Sequence, residues 1–367
     1  METIDVETLR MWLEEGQPVT VLDIRPMHER MEWSIPGSIH FDAYDALQTN
    51  DPQALADVEL SGDIPVVTVC GAGKTSLVAA QQLQARGIEA LSLEGGMKAW
   101  SLAWNVAEVR VQGSEARVLQ VRRTGKGCLS YIIGSAGVAA VIDPALPAEV
   151  YLSLAQAQGW RITQVLETHI HADHLSRGRS LAERSNATLL LPKQNRVSFP
   201  FTPVHAGETL DIGKVHLEVV FTPGHTPESN CYLLDGKALL TGDTLFLAAV
   251  GRPDLHENAN EVQDRARTLY RSLQQLMILP SETIILPGHS SEPVAFDGRP
   301  VSVLLGQVRG WLDTLSISED VFVDQIIARL PPTPPNYERI VMFNEEGLLP
   351  ESDSTELEAG ANRCAVA

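Results

Sequence analysis

Within six residues the chain places four side chains that bind metals readily: His169, His171, Asp173 and His174, in the run Thr168-His-Ile-His-Ala-Asp-His174. They follow directly on an apolar, strand-like stretch from Ile162 to Leu166. In an extended segment residues i and i+2 face the same way, so His169 and His171 can share one pocket, with Asp173 and His174 following on the turn. Three further candidates each end an apolar run: His225 in Thr222-Pro-Gly-His-Thr226, Asp243 in Thr241-Gly-Asp-Thr244 and His289 in Leu286-Pro-Gly-His-Ser290. Imidazoles joined by a shared carboxylate suit zinc, iron or manganese, and the ligand types alone do not choose among them. Burying so many polar rings without a metal or a complete hydrogen-bond network would be costly.

A second chemistry centres on Cys70. The apolar stretch Pro65 to Val69 ends in Cys70-Gly-Ala-Gly-Lys-Thr-Ser76 and runs into a helical pattern, Leu77 to Ala85. Gly71, Ala72 and Gly73 let successive backbone N–H groups turn inward beside a helix N-terminus, with Lys74, Thr75 and Ser76 following. Such a loop cradles anions, lowers a thiol pKa and can hold a persulfide. The end of the run imitates a nucleotide-binding P-loop, but that motif needs a glycine five residues before Gly73, where this chain has Thr68.

The surrounding pattern calls for two domains. At 367 residues with 44% hydrophobic content, the chain exceeds what one core usually organises. From residue 1 to about 105, strand-like runs at Val19 to Ile24, Pro65 to Val69 and Ile88 to Leu93 alternate with helical ones. That order implies a parallel sheet with flanking helices, whose strand-to-helix loops, Cys70 among them, gather at its C-terminal edge. Residues 106–116 read as a linker. From 117 to 345 short strands dominate, at Arg117 to Arg122, Cys128 to Ile133, Val138 to Ile142, Thr188 to Leu191, Val215 to Phe221, Asn230 to Leu234 and Ala238 to Leu240. They predict a two-sheet core covered by helices near 258–276, 301–315 and 318–328. The acidic stretch 346–367 reads as a flexible, solvated tail. Cys128 and Cys231 lie in apolar strand patterns and read as core residues. Four scattered cysteines make no disulfide framework.

No apolar run approaches the roughly 20 residues that cross a bilayer, and the N-terminus, with Glu2, Asp5 and Glu7, lacks a signal-peptide pattern. The expectation is a cytoplasmic protein without a membrane partner. A net charge of −19 also argues against nucleic acid, and requires that an anionic substrate meet a local cation.

Residues 1–105 resemble the single-domain rhodanese family, through Leu22-Asp-Ile-Arg25, Ile35-Pro-Gly-Ser-Ile39, the Cys70 loop and Glu94-Gly-Gly-Met-Lys-Ala-Trp100. The resemblance implies a sulfurtransferase with Cys70 as the nucleophile that carries sulfane sulfur. Thr75 stands where many rhodaneses have arginine, which leaves thiosulfate and a thiol persulfide both open as donor.

Residues 117–345 resemble the metallo-β-lactamase superfamily, an αββα sandwich with its metal at one edge of the sheets. Thr241-Gly-Asp-Thr-Leu-Phe246 followed by Gly251-Arg-Pro-Asp-Leu255 is similar to the branch containing glyoxalase II and the persulfide dioxygenases. Pro331-Pro-Thr-Pro-Pro-Asn-Tyr337 resembles the dioxygenases that occur fused to rhodanese modules. In the dioxygenase reading, one Fe(2+) per chain is held by His169, His225 and Asp243. His171, Asp173, His174 and His289 then orient ligands and move protons, and Arg252 contacts substrate. A low-molecular-weight thiol persulfide and O2 would give thiol and sulfite, while the rhodanese domain exchanges sulfane sulfur with thiosulfate in either direction. The thiol carrier stays open between glutathione, coenzyme A and others.

In the alternative reading the same residues hold two Zn(2+), His169, His171 and His225 on one, Asp173, His174 and His289 on the other, Asp243 bridging, for thioester hydrolysis. A third reading is a non-enzymatic sulfur-relay or sensor protein with a structural metal. The attached rhodanese favours the first, because a persulfide loop and a sulfur-oxidising centre share a substrate pool. The branch commonly forms dimers.

Overall fold

The computed structural model describes residues 2–255, 259–351, 353–360 and 362–366. The first region is a five-stranded parallel sheet in the order Thr3–Ile4, Ala90–Leu93, Val66–Val69, Thr20–Asp23, Ile39–His40. Alternate residues along a strand face opposite sides, and the packing follows that rule. Leu22 and Val66 join Ala79 and Leu83 in one apolar cluster, while their neighbours Val21 and Val67 join Leu9 and Trp100 in another. The sheet is therefore covered on both faces, as parallel sheets are.

The second region is an αββα sandwich. Its first sheet has seven strands in the order Thr202–Val204, Thr188–Pro192, Arg161–Leu166, Val138–Ile142, Cys128–Ser135, Arg117–Arg123, Asn105–Val109. Its second has six, in the order Thr209–Ile212, Val215–Phe221, Asn230–Leu234, Ala238–Gly242, Ile284–Pro287, Val303–Leu304. Tyr131 and Ile133 point into the inter-sheet core with Leu166, Leu217, Leu240 and Leu286, while Ile132 between them packs outward with Val141, Val165 and Tyr151 of helix Ala148–Ala157. The outer face of the other sheet packs on helices Ala259–Leu276 and Glu319–Ala328 through Leu239, Leu269, Leu273 and Phe322. No helix among the described residues is long and apolar enough to cross a membrane.

Three expectations are corrected. The linker expected at 106–116 begins inside a strand: Asn105–Val109 pairs antiparallel with Arg117–Arg123, and Ala107 and Val109 are buried. The helix expected at 301–315 is divided into the strand Val303–Leu304, the helix Leu305–Trp311 and a 3-10 turn, Asp313–Leu315. The stretch read as a flexible tail is in part regular and buried, although Leu348, Leu349 and Glu356 are exposed. It forms helix Thr355–Glu358 and strand Ala365–Val366, the latter paired with Val250–Gly251, and Cys364 is buried.

Glu358 is the anchor of that stretch. It is fully buried, accepts from Arg123 at 3.0 Å, Arg177 at 3.2 Å and the Leu175 backbone N–H at 2.8 Å, and so ties the chain end to the loop after His174. Burial pushes its carboxyl up, but the charges of Arg123 and Arg177 outweigh this and hold it below its ordinary value near 4.5. A carboxylate depressed in the folded state contributes stability above its unfolded pKa and loses it as pH falls through the folded one, so this contribution is full at neutral pH and disappears in acid. Glu358→Gln leaves two guanidinium groups buried without a counter-charge and is expected to lower the unfolding free energy at pH 7 by about 3–5 kcal/mol. Urea titration measures it; a change below about 0.5 kcal/mol, the scale of an ordinary surface substitution, would show the anchor to be dispensable.

The two regions touch through specific bonds. Trp33 Nε1 donates to the Thr124 carbonyl at 2.9 Å and Arg123 Nε to the Ser101 carbonyl at 2.7 Å. Lys98, whose backbone N–H bonds Gly71 of the Cys70 loop, pairs with Glu356 at 2.7 Å.

Candidate active sites

The metal-type residues converge at one edge of the two sheets. Strand Arg161–Leu166 delivers the His169 loop, and Asp143 at the end of strand Val138–Ile142 fixes it. The Asp143 carboxylate accepts from the Thr168 N–H and from the Thr168 hydroxyl, both at 2.7 Å. With that hydroxyl proton committed, the Thr168 oxygen takes the Nδ1–H of His169 at 2.9 Å, which leaves the His169 Nε2 lone pair facing the pocket. His225 is set the same way, its Nδ1–H donating to the Arg252 carbonyl at 2.8 Å. Asp243, just past strand Ala238–Gly242, pairs Oδ1 with His289 Nδ1 at 2.6 Å and leaves Oδ2 free to face the two histidines. A Cβ on Gly288 would stand 2.7 Å from Asp243 Oδ1, so only glycine lets His289 approach from that turn.

His169 Nε2, His225 Nε2 and Asp243 Oδ2 are buried without a hydrogen-bond partner among the described residues. The carboxylate oxygen is 3.8 Å from the first nitrogen and 3.6 Å from the second. Three donors about 2.1 Å from a shared ion stand roughly 3.0–3.4 Å apart, and these two separations exceed that range by a few tenths of an ångström. Protonation fits. Burial drives His169 well below the ordinary histidine value and lowers His225, keeping both rings neutral. Burial also raises the Asp243 carboxyl, but His289 and the other rings outweigh it and keep it anionic. Two neutral imidazoles and a carboxylate, all unpaired and aimed at one point, fit a divalent metal ion.

His171 is anchored from its far side, and its Nδ1 is, like the trio's three atoms, buried without a hydrogen-bond partner among the described residues. Its Nε2 lies 3.1 Å from Glu167 and 3.3 Å from Asp143. Burial lowers the ring's pKa, but these two carboxylates hold it well above the ordinary value. The remaining candidates form a neighbouring buried group with a residue read as core: Cys128, Asp173, His174 and His289 bring ligand atoms within 4.8 Å of one another. Burial pushes the Cys128 thiol up and His174 pulls it down, to about 6. Cys128 is buried as its strand pattern indicates and also stands beside these ligand-type residues, while Cys231 is a core residue, packed with Leu239 and Leu269.

Arg252, expected at the substrate, is bonded within the protein. It is fully buried, and the five N–H groups of its guanidinium have protein partners: two bonds to Asp254 at 2.7 and 2.8 Å, and one each to the carbonyls of Pro331, Pro332 and Arg363. Its side chain clamps the proline segment and the chain end, while its carbonyl orients His225. Asp143, Glu167 and Asn344 were also missed as site residues. Asn344, on helix Tyr337–Glu346, donates to the carbonyls of His171 and His174 at 2.8 and 2.9 Å.

The Cys70 loop brings one backbone N–H and one hydroxyl to the sulfur. Cys70 is buried at the end of strand Val66–Val69, and its Sγ accepts from the Gly73 N–H at 3.1 Å and the Ser76 hydroxyl at 3.3 Å. Helix Lys74–Ala85 begins directly behind, with Gly73 at a φ of +83° and Lys74 exposed at its first turn. Thr75 and Ser76 are buried beneath the loop. Gly96 closes the other side, where a Cβ would stand 2.3 Å from the Cys70 carbonyl oxygen.

Residues 5–103 match the model of the rhodanese-like domain, and residues 123–289 that of the metallo-beta-lactamase superfamily. The chain is thus a rhodanese-like domain followed by a metallo-β-lactamase sandwich. Among curated relatives, it is 37% identical over 141 residues to a hydroxyacylglutathione hydrolase of Rhizobium meliloti (strain 1021), 38% of this chain and 52% of the relative. It is 37% identical over 161 residues to the protein of that name from Methylobacillus flagellatus, 43% of this chain and 60% of the relative. The chain thus spans 52–60% of the length of these curated relatives. Among solved structures, a metallo-beta-lactamase from Staphylococcus aureus subsp. aureus COL superposes with a TM-score of 0.59 at 28% identity, covering 64% of this chain and 74% of that one. ETHE1 from Myxococcus xanthus superposes with a TM-score of 0.54 at 28% identity, covering 62% and 96%.

Proposed function

We propose that this chain is a bifunctional enzyme of sulfur metabolism: an iron-dependent dioxygenase that converts a thiol persulfide, O2 and water to thiol, sulfite and two protons, joined to a thiosulfate sulfurtransferase. The observation that carries the reading is the trio of unpaired donors, His169 Nε2, His225 Nε2 and Asp243 Oδ2, in a group whose ligand atoms lie within 4.8 Å of one another. Two histidines and one carboxylate around ferrous iron leave positions open for a substrate sulfur and O2.

The protein's own groups then have definite tasks. Thr168 and the Arg252 carbonyl hold the two imidazoles in the tautomer that presents Nε2. His289, bonded to Asp243, orients the carboxylate and is placed to take or return a proton beside it. A cavity of about 360 Å³ opens on His225, with Arg196 and Arg265 in its wall beside Glu338 and Glu345; Arg196 is itself paired with Glu228 and Glu345. In the other domain Cys70 Sγ attacks the outer sulfur of thiosulfate, the sulfur–sulfur bond breaks and sulfite leaves. The Gly73 N–H and Ser76 hydroxyl then steady the persulfide.

The second reading is a binuclear zinc hydrolase of acyl-glutathione thioesters. It is favoured by the hydroxyacylglutathione hydrolase relatives and by the presence of all seven ligand-type residues. Loading metal-free protein separately with iron and zinc distinguishes the two. The dioxygenase reading expects persulfide-dependent O2 uptake that follows iron and no thioester cleavage by the zinc form; thioester cleavage without O2 uptake would give the pocket to the hydrolase.

A further inference from the structure

The cavities beside the metal trio differ in the chemistry of their walls. The one that opens on His225 sets its arginines among carboxylates, with Arg196 paired to Glu228 and Glu345. Another, of about 360 Å³, reaches His289, whose ring bonds the carboxylate of Asp243. Phe246, Leu247, Ala249, Val301, Pro331 and Ala365 give it apolar surface. Its wall is fixed by bonds from several elements. Arg252 donates to the carbonyls of Pro331 and Arg363, Ala365–Val366 pairs with Val250–Gly251, and Trp311 Nε1 donates to the Leu247 carbonyl at 2.6 Å.

Most polar groups in that wall are already committed. The Asn362 side chain donates to Asp173 at 2.7 Å and accepts from the Cys364 N–H at 2.8 Å, and the Ser290 hydroxyl donates to the Glu292 carbonyl at 2.9 Å. His289 is engaged with Asp243 and Asp173. Arg363 is the one arginine or lysine among the described lining residues, and it stands 3.4 Å from Glu32 of the first region. No carboxylate is among them. Glutathione carries two carboxylates and an ammonium at neutral pH, so here one carboxylate and the ammonium would meet no opposite charge. Taking such groups out of water without a partner is costly, whereas an uncharged, hydrocarbon-rich arm gains from the same surface.

We infer that the cavity at His289 receives the carrier half of the substrate, and that it selects a thiol whose arm beside the sulfur is uncharged, of the pantetheine kind, over glutathione. This rests on the reading of the trio as the centre that acts on a thiol persulfide. The outer sulfur points past His289 to the trio, and the arm runs outward between residues 246–249 and Pro331. Charged groups farther along such a carrier stay in water beyond Arg363. Glutathione persulfide is then a substrate of higher KM, not an excluded one.

Binding of unreactive thioethers tests this apart from catalysis. S-methylpantetheine and S-methylglutathione, the methyl standing in for the outer sulfur, are titrated calorimetrically into the zinc-loaded full chain and its Ala248→Lys variant. Ala248 is an exposed wall residue, so the substitution adds a cation without entering the core. The parent is expected to bind the pantetheine thioether about 10-fold or more tightly than the glutathione one, the effect of a charge left without a partner. The variant is expected to lower that ratio about two- to fivefold, the worth of an exposed ion pair. A ratio near or below one in the parent would overturn the inference, as would a ratio that the variant leaves unchanged, or binding of neither thioether. In the iron-loaded chain the same order is expected in KM for the two persulfides, at similar kcat. Absence of O2 uptake with the binding order intact would remove the dioxygenase reading and leave the selectivity; O2 uptake with equal KM for both persulfides would do the reverse.

Discussion

Asp243→Ala is expected to strip the metal centre while leaving sulfur transfer by Cys70 at its parental rate. The substitution removes the one anionic donor of the trio and leaves His289 Nδ1 without its 2.6 Å partner. Changing an outer-shell partner typically costs 10–100-fold in metal affinity, so loss of a ligand that also orients a second ring is expected to exceed about 100-fold. Iron retained after dialysis should fall from one per chain to near zero, and persulfide-dependent O2 uptake should fall with it. His171→Ala gives the internal comparison: it is expected to retain most of its iron, because the donors that converge within 4.8 Å are those of His169, His225 and Asp243, without His171. Equal iron loss in both variants would place His171 among the ligands and return the pocket to a three-histidine first site.

The second large effect is at Cys70. Cys70→Ser is expected to abolish sulfur transfer from thiosulfate, since a hydroxyl neither ionises near neutral pH nor forms a stable bond to sulfane sulfur. The structure gives no reason for the loss to spread. Cys70 meets Gly73 and Ser76 inside its own loop, and serine is close to isosteric there. Persulfide-dependent O2 uptake should remain within a factor of about two. Loss of both activities would show that the sites act as one, with sulfur reaching the metal centre only through Cys70, and the two-site account would fail.

Much of this was legible in the sequence because the informative contacts are local. His169 to His174 announce themselves by spacing, and the turns before His225, Asp243 and His289 each carry a glycine or a Pro-Gly pair at a strand end. The alternation of strands and helices up to residue 105 and the run of short strands beyond it sufficed for both architectures. What stayed hidden depends on contacts without periodicity. Cys128 begins a strand buried along its whole length, so its pattern does not distinguish a pocket face from a core face. Arg252 follows a ligand-bearing strand, as a substrate contact would, yet its bonds to Pro331, Pro332 and Arg363 span 79, 80 and 111 positions. Asn362 meets Asp173 across 189 positions. The acidic composition of the chain end describes a solvated tail, and Glu358 is charged, but two distant arginines neutralise it inside the protein. Asn105–Val109 has the mixed polarity of a linker because, as the edge strand of its sheet, it exposes Glu108 while burying Ala107 and Val109.

The most direct test of the central claim is the ratio of sulfite formed to O2 consumed when protein purified without oxygen and loaded with ferrous iron is given glutathione persulfide. The account predicts sustained O2 uptake with one sulfite released per O2, unchanged in Cys70→Ser and absent in Asp243→Ala. No O2 uptake by the iron-loaded chain, together with acyl-glutathione cleavage by its zinc-loaded form, would contradict it.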